Sequence, residues 1–215
     1  MKKYEDILKD VRMDRIDAAV ESAARLYMEK GIDEIKMTDI ADECQIGVAS
    51  LYRYFGTKQK FTIRVAAYIW KQQMKLFEGI YDSEYYHSKT GLEQIEELMK
   101  VFYVMHQAQS SFLRFVANFD AYIVREDISQ EELTEYNSAV LDTMPLMEQA
   151  ILKGTEDGTI RQGVDTKLYY FTVSHSLMSL CQKLACGRLL DSDDPMGGDD
   201  EVLLAIKMFV SFIKA

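Results

Sequence analysis

Apolar residues in this chain return at spacings of three and four, the period of a helix face, and runs of β-branched residues between turns are few. The first such face, Ile16, Val20, Ala23 and Tyr27, predicts a helix that begins at Asp14, a good N-cap, and ends at Lys30 before Gly31. Thr38 is the next N-cap in the pattern, with Asp39 complementing the positive helix end, and it predicts a short helix over 39–44. A third helix begins at Gly47 and reaches Tyr54, with Ile46, Leu51 and Phe55 as anchors to a small core. Three helices of that size make a compact head that leaves the outer face of the third exposed. From Thr57 a longer helix runs to about Tyr81, carrying Phe61, Val65, Tyr68, Ile69, Gln72 and Leu76. Further helical segments are predicted near 90–107, 110–125, 131–153, 165–187 and 199–214, with breaks at Thr90-Gly91, Ser110-Ser111, 154–163 and 191–198. Only two prolines, Pro145 and Pro195, interrupt 215 residues. The pattern therefore predicts an all-α protein: a head over 1–56, whose residues 1–13 are a short N-terminal extension, and a larger helical domain over 57–215.

The last two segments differ from the rest. Between Leu168 and Leu184 the apolar positions leave little polar face, and 202–213 is apolar all round. A helix hydrophobic on every side must be covered on every side. Two such helices at the end of a short chain are most simply covered by their copies in a second subunit, in a symmetric four-helix interface. Leu177, Met178, Cys181, Leu184, Leu204, Met208 and Phe212 are the residues expected there. The alternative is burial wholly within one subunit, since periodicity alone does not say what covers a face.

Charge changes the picture of the head. The chain is acidic, at net charge -10, yet residues 44–77 contain no Asp or Glu and carry Arg53, Lys58, Lys60, Arg64, Lys71 and Lys75. Two short helices meeting at a tight turn and ending in a cationic, aromatic surface read as a helix-turn-helix. At physiological salt, charges more than about 8 Å apart are largely screened, so an acidic chain with one positive face is able to hold phosphate on that face. The first ten residues mix charges without an apolar leader, and no stretch approaches the roughly 18 apolar residues of a membrane span. A cytoplasmic protein without membrane partners is expected. Cys44, Cys181 and Cys186 lack metal or disulfide spacing and read as reduced thiols used as small hydrophobes.

The run from Ile16 to Lys58, with RLYMEKG closing the first helix, TDIAD for the second and IGVASLYRYFGTK for the turn, recognition helix and start of the fourth, resembles the DNA-binding head of the TetR family of transcriptional regulators. One position departs from the family pattern: Gln45 stands in the turn where glycine is usual, at a cost of about 1 kcal/mol if the backbone there is left-handed. Gly47, Val48, Ala49 and Tyr52 are the candidates to face base edges, and Thr38, Ser50, Arg53, Tyr54 and Lys58 to hold phosphates. The resemblance itself supports Thr38, Tyr52 and Lys58. Val48 and Ala49 form no bidentate hydrogen bond with a base, so weak direct readout is expected, with discrimination left to Tyr52, water and DNA shape.

The resemblance further implies a homodimeric repressor that a small molecule held in the larger domain releases from a double-stranded, pseudo-palindromic DNA operator. Trp70, Met74, Phe77, Phe102, Tyr103, His106 and Phe112 could line such an effector pocket, as could Phe115, Phe119, Tyr122, Met144 and Met147. The same residues also read as plain core. The acidity of the chain suits a cationic or neutral apolar effector. Enzymatic readings find little support: His87, His106 and His175 lie far apart without metal-ligand spacing, and there is no Gly-rich phosphate loop or nucleophile elbow. No cofactor or metal is expected, and the acidic stretch 191–201 reads as a solvated connector. A helical dimeric scaffold or small-molecule-binding protein without sequence-specific DNA binding is the competing reading.

Overall fold

The computed structural model describes residues 4–75, 79, 81–140, 142–187 and 198–215, with only the backbone described for 4–10. Leu76, Phe77, Pro195 and the connector at 191–197 lie outside the described residues. Among those described there are eleven helices and no strand: α1 Tyr4–Lys30, α2 Met37–Glu43, α3 Val48–Phe55, α4 Lys58–Met74, α5 Glu84–Ser88, α6 Gly91–Ala108, α7 Ser110–Arg125, α8 Thr134–Asn137, α9 Met144–Glu156, α10 Thr166–Ala185 and α11 Gly198–Ile213.

Several boundaries differ from the sequence expectation. The first helix begins at Tyr4 rather than Asp14, because no glycine or proline interrupts the chain before Gly31, so most of the expected N-terminal extension is helical. The fourth helix stops at Met74, short of Tyr81. The single helix expected over 131–153 is two, α8 and α9. Pro145 sits in the first turn of α9, where its missing N–H costs no helical bond, and Asp142 accepts from the Met144 amide at 3.0 Å to start that turn.

The chain divides into two compact units, Met1–Leu76 with Phe115–Leu141, and Phe77–Arg114 with Asp142–Ala215. In the first, α1 packs on α4 and α2, α2 on α3, α3 on α4, and α4 on α8. The predicted face of α1, Ile16, Val20, Ala23 and Tyr27, is buried, and Tyr27 shares a buried hydrogen bond with Thr62 of α4 at 3.1 Å. Burial pushes the Tyr27 phenol up to about 12, with the Thr62 bond opposing it in part. Trp70 donates to the Tyr136 hydroxyl at 2.8 Å, and Phe119 packs its ring 4.7 Å from that of Tyr136.

The second unit is built around α6, which packs against α9, α10 and α11. Its contact with α9 is unusually close. A Cβ on Gly91 would lie 2.0 Å from the Gly154 nitrogen and 2.4 Å from the Ala150 carbonyl oxygen, so only glycine fits the first turn of α6. Gly154, read from the sequence as a break, is instead inside α9, and a Cβ there would lie 2.4 Å from Ile160 Cδ1. The Asp157 carboxylate ties the same corner, accepting from the Gly91 amide at 2.8 Å and from Thr159 Oγ1 at 2.6 Å; the Thr159 and Gly91 bonds hold its carboxyl below the usual range. Gly91→Ala is expected to force α6 from α9 and to lower unfolding free energy by about 2–3 kcal/mol or more, read as a fall in the urea midpoint; a midpoint equal to that of the unaltered protein would refute the close packing.

Candidate nucleic-acid interface

The candidate surface is assembled by caps and tight turns in the first unit. The Lys36 amide donates to the Asp39 carboxylate at 2.8 Å, which starts α2 one turn's edge earlier than the sequence suggested. Thr38 is therefore not the cap: it sits exposed inside the first turn, with its hydroxyl available for another partner. Between α2 and α3 the backbone reverses at Gln45, whose φ of 54° is left-handed, and the Ile46 amide then donates to the Ala41 carbonyl at 3.0 Å. A glutamine there costs roughly 1 kcal/mol relative to glycine, a strain the surrounding turn bonds hold in place.

Gly47 caps α3, and Leu51 and Phe55 turn inward, with Phe55 meeting the Phe61 ring at 4.5 Å. The opposite face is left outward: Gly47, Ala49 and Arg53 are exposed, Val48 and Ser50 half-buried, and Tyr52 is 45% exposed. A large aromatic standing free beside small residues is a poor core position and a good contact position. Arg53 donates to the Ser50 hydroxyl at 3.3 Å and lies 5.3 Å from the Tyr54 ring centroid, so Ser50, Arg53 and Tyr54 form one group.

Two residues not anticipated from the sequence join that group. Arg12 of α1 lies 5.5 Å from the Tyr54 ring centroid, and the Arg15 guanidinium on the same helix acts on the Tyr54 phenol. Hydrogen bonding to Arg53, reinforced by Arg15, holds the Tyr54 phenol below its ordinary range despite slight desolvation. Periodicity gave no hint of these arginines, because they precede the first apolar position of the helix face at Ile16.

Residues 19–65 match the model of the bacterial regulatory proteins of the tetR family. No protein of curated function matches the chain in sequence. In fold, the chain is similar to a transcriptional regulator from Saccharomonospora viridis in complex with choline, with a TM-score of 0.71 at 16% identity, over 94% of this chain and 99% of that one. It is also similar to the ketosteroid regulator KstR2 of Mycobacterium tuberculosis, with a TM-score of 0.60 at 16% identity over 94% and 95% of the two chains. FadR of Bacillus subtilis in complex with stearoyl-CoA gives a TM-score of 0.60 at 15% identity over 91% and 98%. The head over residues 19–65 thus carries the tetR-family pattern, and the whole chain shares the fold of these regulators.

The TetR-family head and its all-α fold thus agree with the sequence reading, and no described helix is long and apolar enough to cross a membrane. The residues considered for an effector pocket are distributed over both units. Trp70, Phe115, Phe119 and Tyr122 are buried in the first, where Phe115, Phe119 and Tyr122 stack in sequence at centroid distances of 6.0 and 6.3 Å; Met74 is half-buried at the end of α4. Phe102, Tyr103, His106, Phe112, Met144 and Met147 belong to the second, where His106 Nε2 lies 3.2 Å from the Asp199 carboxylate. Phe77 lies outside the described residues.

The residues considered for an interface between subunits also divide. Leu177 and Cys181 are fully buried, and the Cys181 thiol lies 3.5 Å from the Phe102 carbonyl of α6, so these two face inward within the unit. Met178 and Leu184 are half-buried. Leu204, Met208 and Phe212, spaced by four, stand outward with exposures of 59, 64 and 62%. An all-round apolar pattern did not reveal which face α6 would cover.

Lys58 has a role of its own within the head. Its ammonium donates to the carbonyls of Ile35 at 2.8 Å and Ile32 at 3.4 Å, tying the start of α4 to the loop after α1. Lys58→Ala is expected to lower unfolding free energy by about 1–2 kcal/mol, since charged donors to carbonyls contribute on that order. A urea titration with an unchanged midpoint would show that those bonds do not stabilise the head.

Proposed function

We propose that this protein is a one-component, ligand-responsive transcriptional repressor that binds a pseudo-palindromic operator as a homodimer and is released by a small-molecule effector. In this reading residues 1–56 read DNA, and 57–215 dimerise and bind the effector. The observation that carries it is the outward face of α3: Tyr52 stands free beside Gly47, Val48 and Ala49, at the cap and start of a helix in a stretch with no acidic residue. A helix presented this way enters the major groove with its N-terminal residues at base edges. Thr38, Ser50, Arg53 and Tyr54 hold phosphates on either side, while Lys58, expected from the sequence to do the same, is engaged by the Ile35 and Ile32 carbonyls and braces the head instead. Binding DNA and an effector, rather than catalysis, is the activity proposed.

The homodimer is supported by the outward apolar residues of the last two helices. Leu168 and Phe171 on α10 and Leu204, Met208 and Phe212 on α11 are exposed, and a groove of about 510 Å³ runs between the helices beside Arg161 and Tyr169. A soluble monomer rarely leaves such a surface uncovered. The second copy's α10 and α11 cover it, and the two heads then meet half-sites about 34–36 Å apart, or a multiple of that spacing. An effector releases the operator only by binding one separation of the heads more tightly than another. The net charge of -10 favours a cationic or neutral effector, a class to which the choline held by the Saccharomonospora viridis relative belongs.

Two measurements test the reading. The unaltered protein should retard the duplex upstream of its own coding sequence more strongly than a scrambled duplex, and Tyr52→Ala should reduce that preference roughly 10- to 100-fold. Equal retardation of both duplexes by the unaltered protein would rule out operator recognition and favour a helical scaffold. In sedimentation, the unaltered chain should run as a dimer, and Met208→Glu with Phe212→Glu should weaken association about a thousandfold or more, because four carboxylates would be buried in an apolar seam.

A further inference from the structure

The cationic group around Tyr54 extends beyond the helix-turn-helix. Arg12 and Arg15, one helical turn apart on α1, share a face of that helix and are both exposed. Arg12 meets the Tyr54 ring at 5.5 Å, Arg53 meets it at 5.3 Å from α3 itself, and Arg15 stands one turn along from Arg12 on the same face. Among the described side chains, no carboxylate forms an ion pair with any of these three arginines. Elsewhere in the same unit the pattern is the opposite: Arg25 pairs with Glu43, and Arg125 with Asp33 and Glu126. In a chain with 35 acidic residues against 25 basic ones, three guanidiniums gathered at one tyrosine, with no carboxylate pairing them among the described side chains, make a local field that attracts an outside anion.

The geometry suits one kind of anion. Guanidiniums resting on an aromatic face keep their N–H edges free, and those edges match the paired oxygens of a phosphodiester. The cluster adjoins Ser50 through Arg53, and so lies next to the face of α3 assigned above to DNA. Arg12 and Arg15 lie on the first helix ahead of the residues 19–65 that match the family model.

We propose that Arg12 and Arg15, gathered with Arg53 around Tyr54, clamp the sugar-phosphate backbone of duplex DNA beside the bases that α3 faces. The clamp rests on the DNA-binding reading above and adds affinity without sequence preference. Tyr54 orients the guanidiniums, and the helix-turn-helix does the reading.

The test is a salt series of binding to an arbitrary duplex of about 30 base pairs, followed by fluorescence anisotropy, with the full chain, Arg12→Ala/Arg15→Ala and Arg12→Lys/Arg15→Lys. Each phosphate neutralised contributes about 0.9 to the slope of log affinity against log salt. The alanine pair should therefore flatten the slope by roughly 1.8 per bound head, so that a fourfold rise in salt weakens the unaltered protein roughly twelvefold more than the variant. The lysine pair should keep the slope, because a phosphate clamp depends on charge. Circular dichroism should show equal helix content and melting for all three, as both positions are exposed. A slope in the alanine pair equal to that of the unaltered protein overturns the clamp, as does a lysine pair that behaves like the alanine pair. If the unaltered protein itself shows no salt-dependent binding to duplex, the DNA-binding reading fails, and that outcome is distinguished by needing no variant.

Discussion

The head depends on the buried contact between α1 and α4. Ala19, Ala23 and Ala24 on one helix and Ala66 and Ala67 on the other are almost wholly buried, and small side chains let two helix backbones approach closely. The hydrogen bond between Tyr27 and Thr62 lies within this contact and satisfies both hydroxyls where water does not reach. With the phenol's pKa pushed up to about 12, Tyr27 remains neutral through the range in which proteins are ordinarily folded. The same pair of helices sets the position of α3. Phe55 docks it on α4 through Phe61, with Leu51 buried on the same face, and the Lys58 ammonium fastens the start of α4 to the carbonyls that follow α1. A rigid frame of this kind is what allows a helix of only eight residues, too short to be stable alone, to present a defined face.

That face is chemically sparse. Val48 and Ala49 bring methyl groups and close backbone approach but no hydrogen bonds to base edges, and Tyr52 is the large aromatic side chain that stands outward on α3 beside them. On the proposed reading, affinity for DNA comes chiefly from phosphate contacts, so that positive charge and its placement matter more than the identity of the residues at the base edges. The acidic remainder of the chain does not oppose this at short range, because screening limits each charge to its neighbourhood. It does disfavour indiscriminate attachment of the rest of the molecule to nucleic acid.

In the second unit, α6 plays the organising part that α4 plays in the first. Its first turn approaches α9 so closely that Gly91 is required by the Gly154 backbone, Gly154 in turn by the Ile160 side chain, and Asp157 closes the corner. By packing on both α10 and α11, α6 takes up their inner faces, including Leu177 and Cys181. What remains outward is the row Leu204, Met208 and Phe212, with the Arg161 guanidinium 4.5 Å from the Phe212 ring centroid. The apolar surface that supports a dimer is thus the part of two apolar helices that their own chain leaves uncovered.

The sequence by itself determined the helical class, the three-helix head and the residues of the recognition turn. Those features are written in caps and periodicities that act within one or two helical turns: Thr57 capping α4, Leu51 and Phe55 sharing a face, and an acid-free stretch beginning at Cys44. The strained turn at Gln45 was anticipated through the resemblance alone, which puts glycine at that position, and the structure gives it the left-handed backbone. Tertiary structure alone decided the meeting of Arg12 and Arg15 with Tyr54, the engagement of Lys58 with Ile32 and Ile35, the need for glycine at 91 and 154, and the inward turn of Leu177 and Cys181. Each of these depends on where two helices cross. Periodicity shows that a helix has a face to bury, but only the crossing chooses the partner, and that choice is made by side chains distant in sequence.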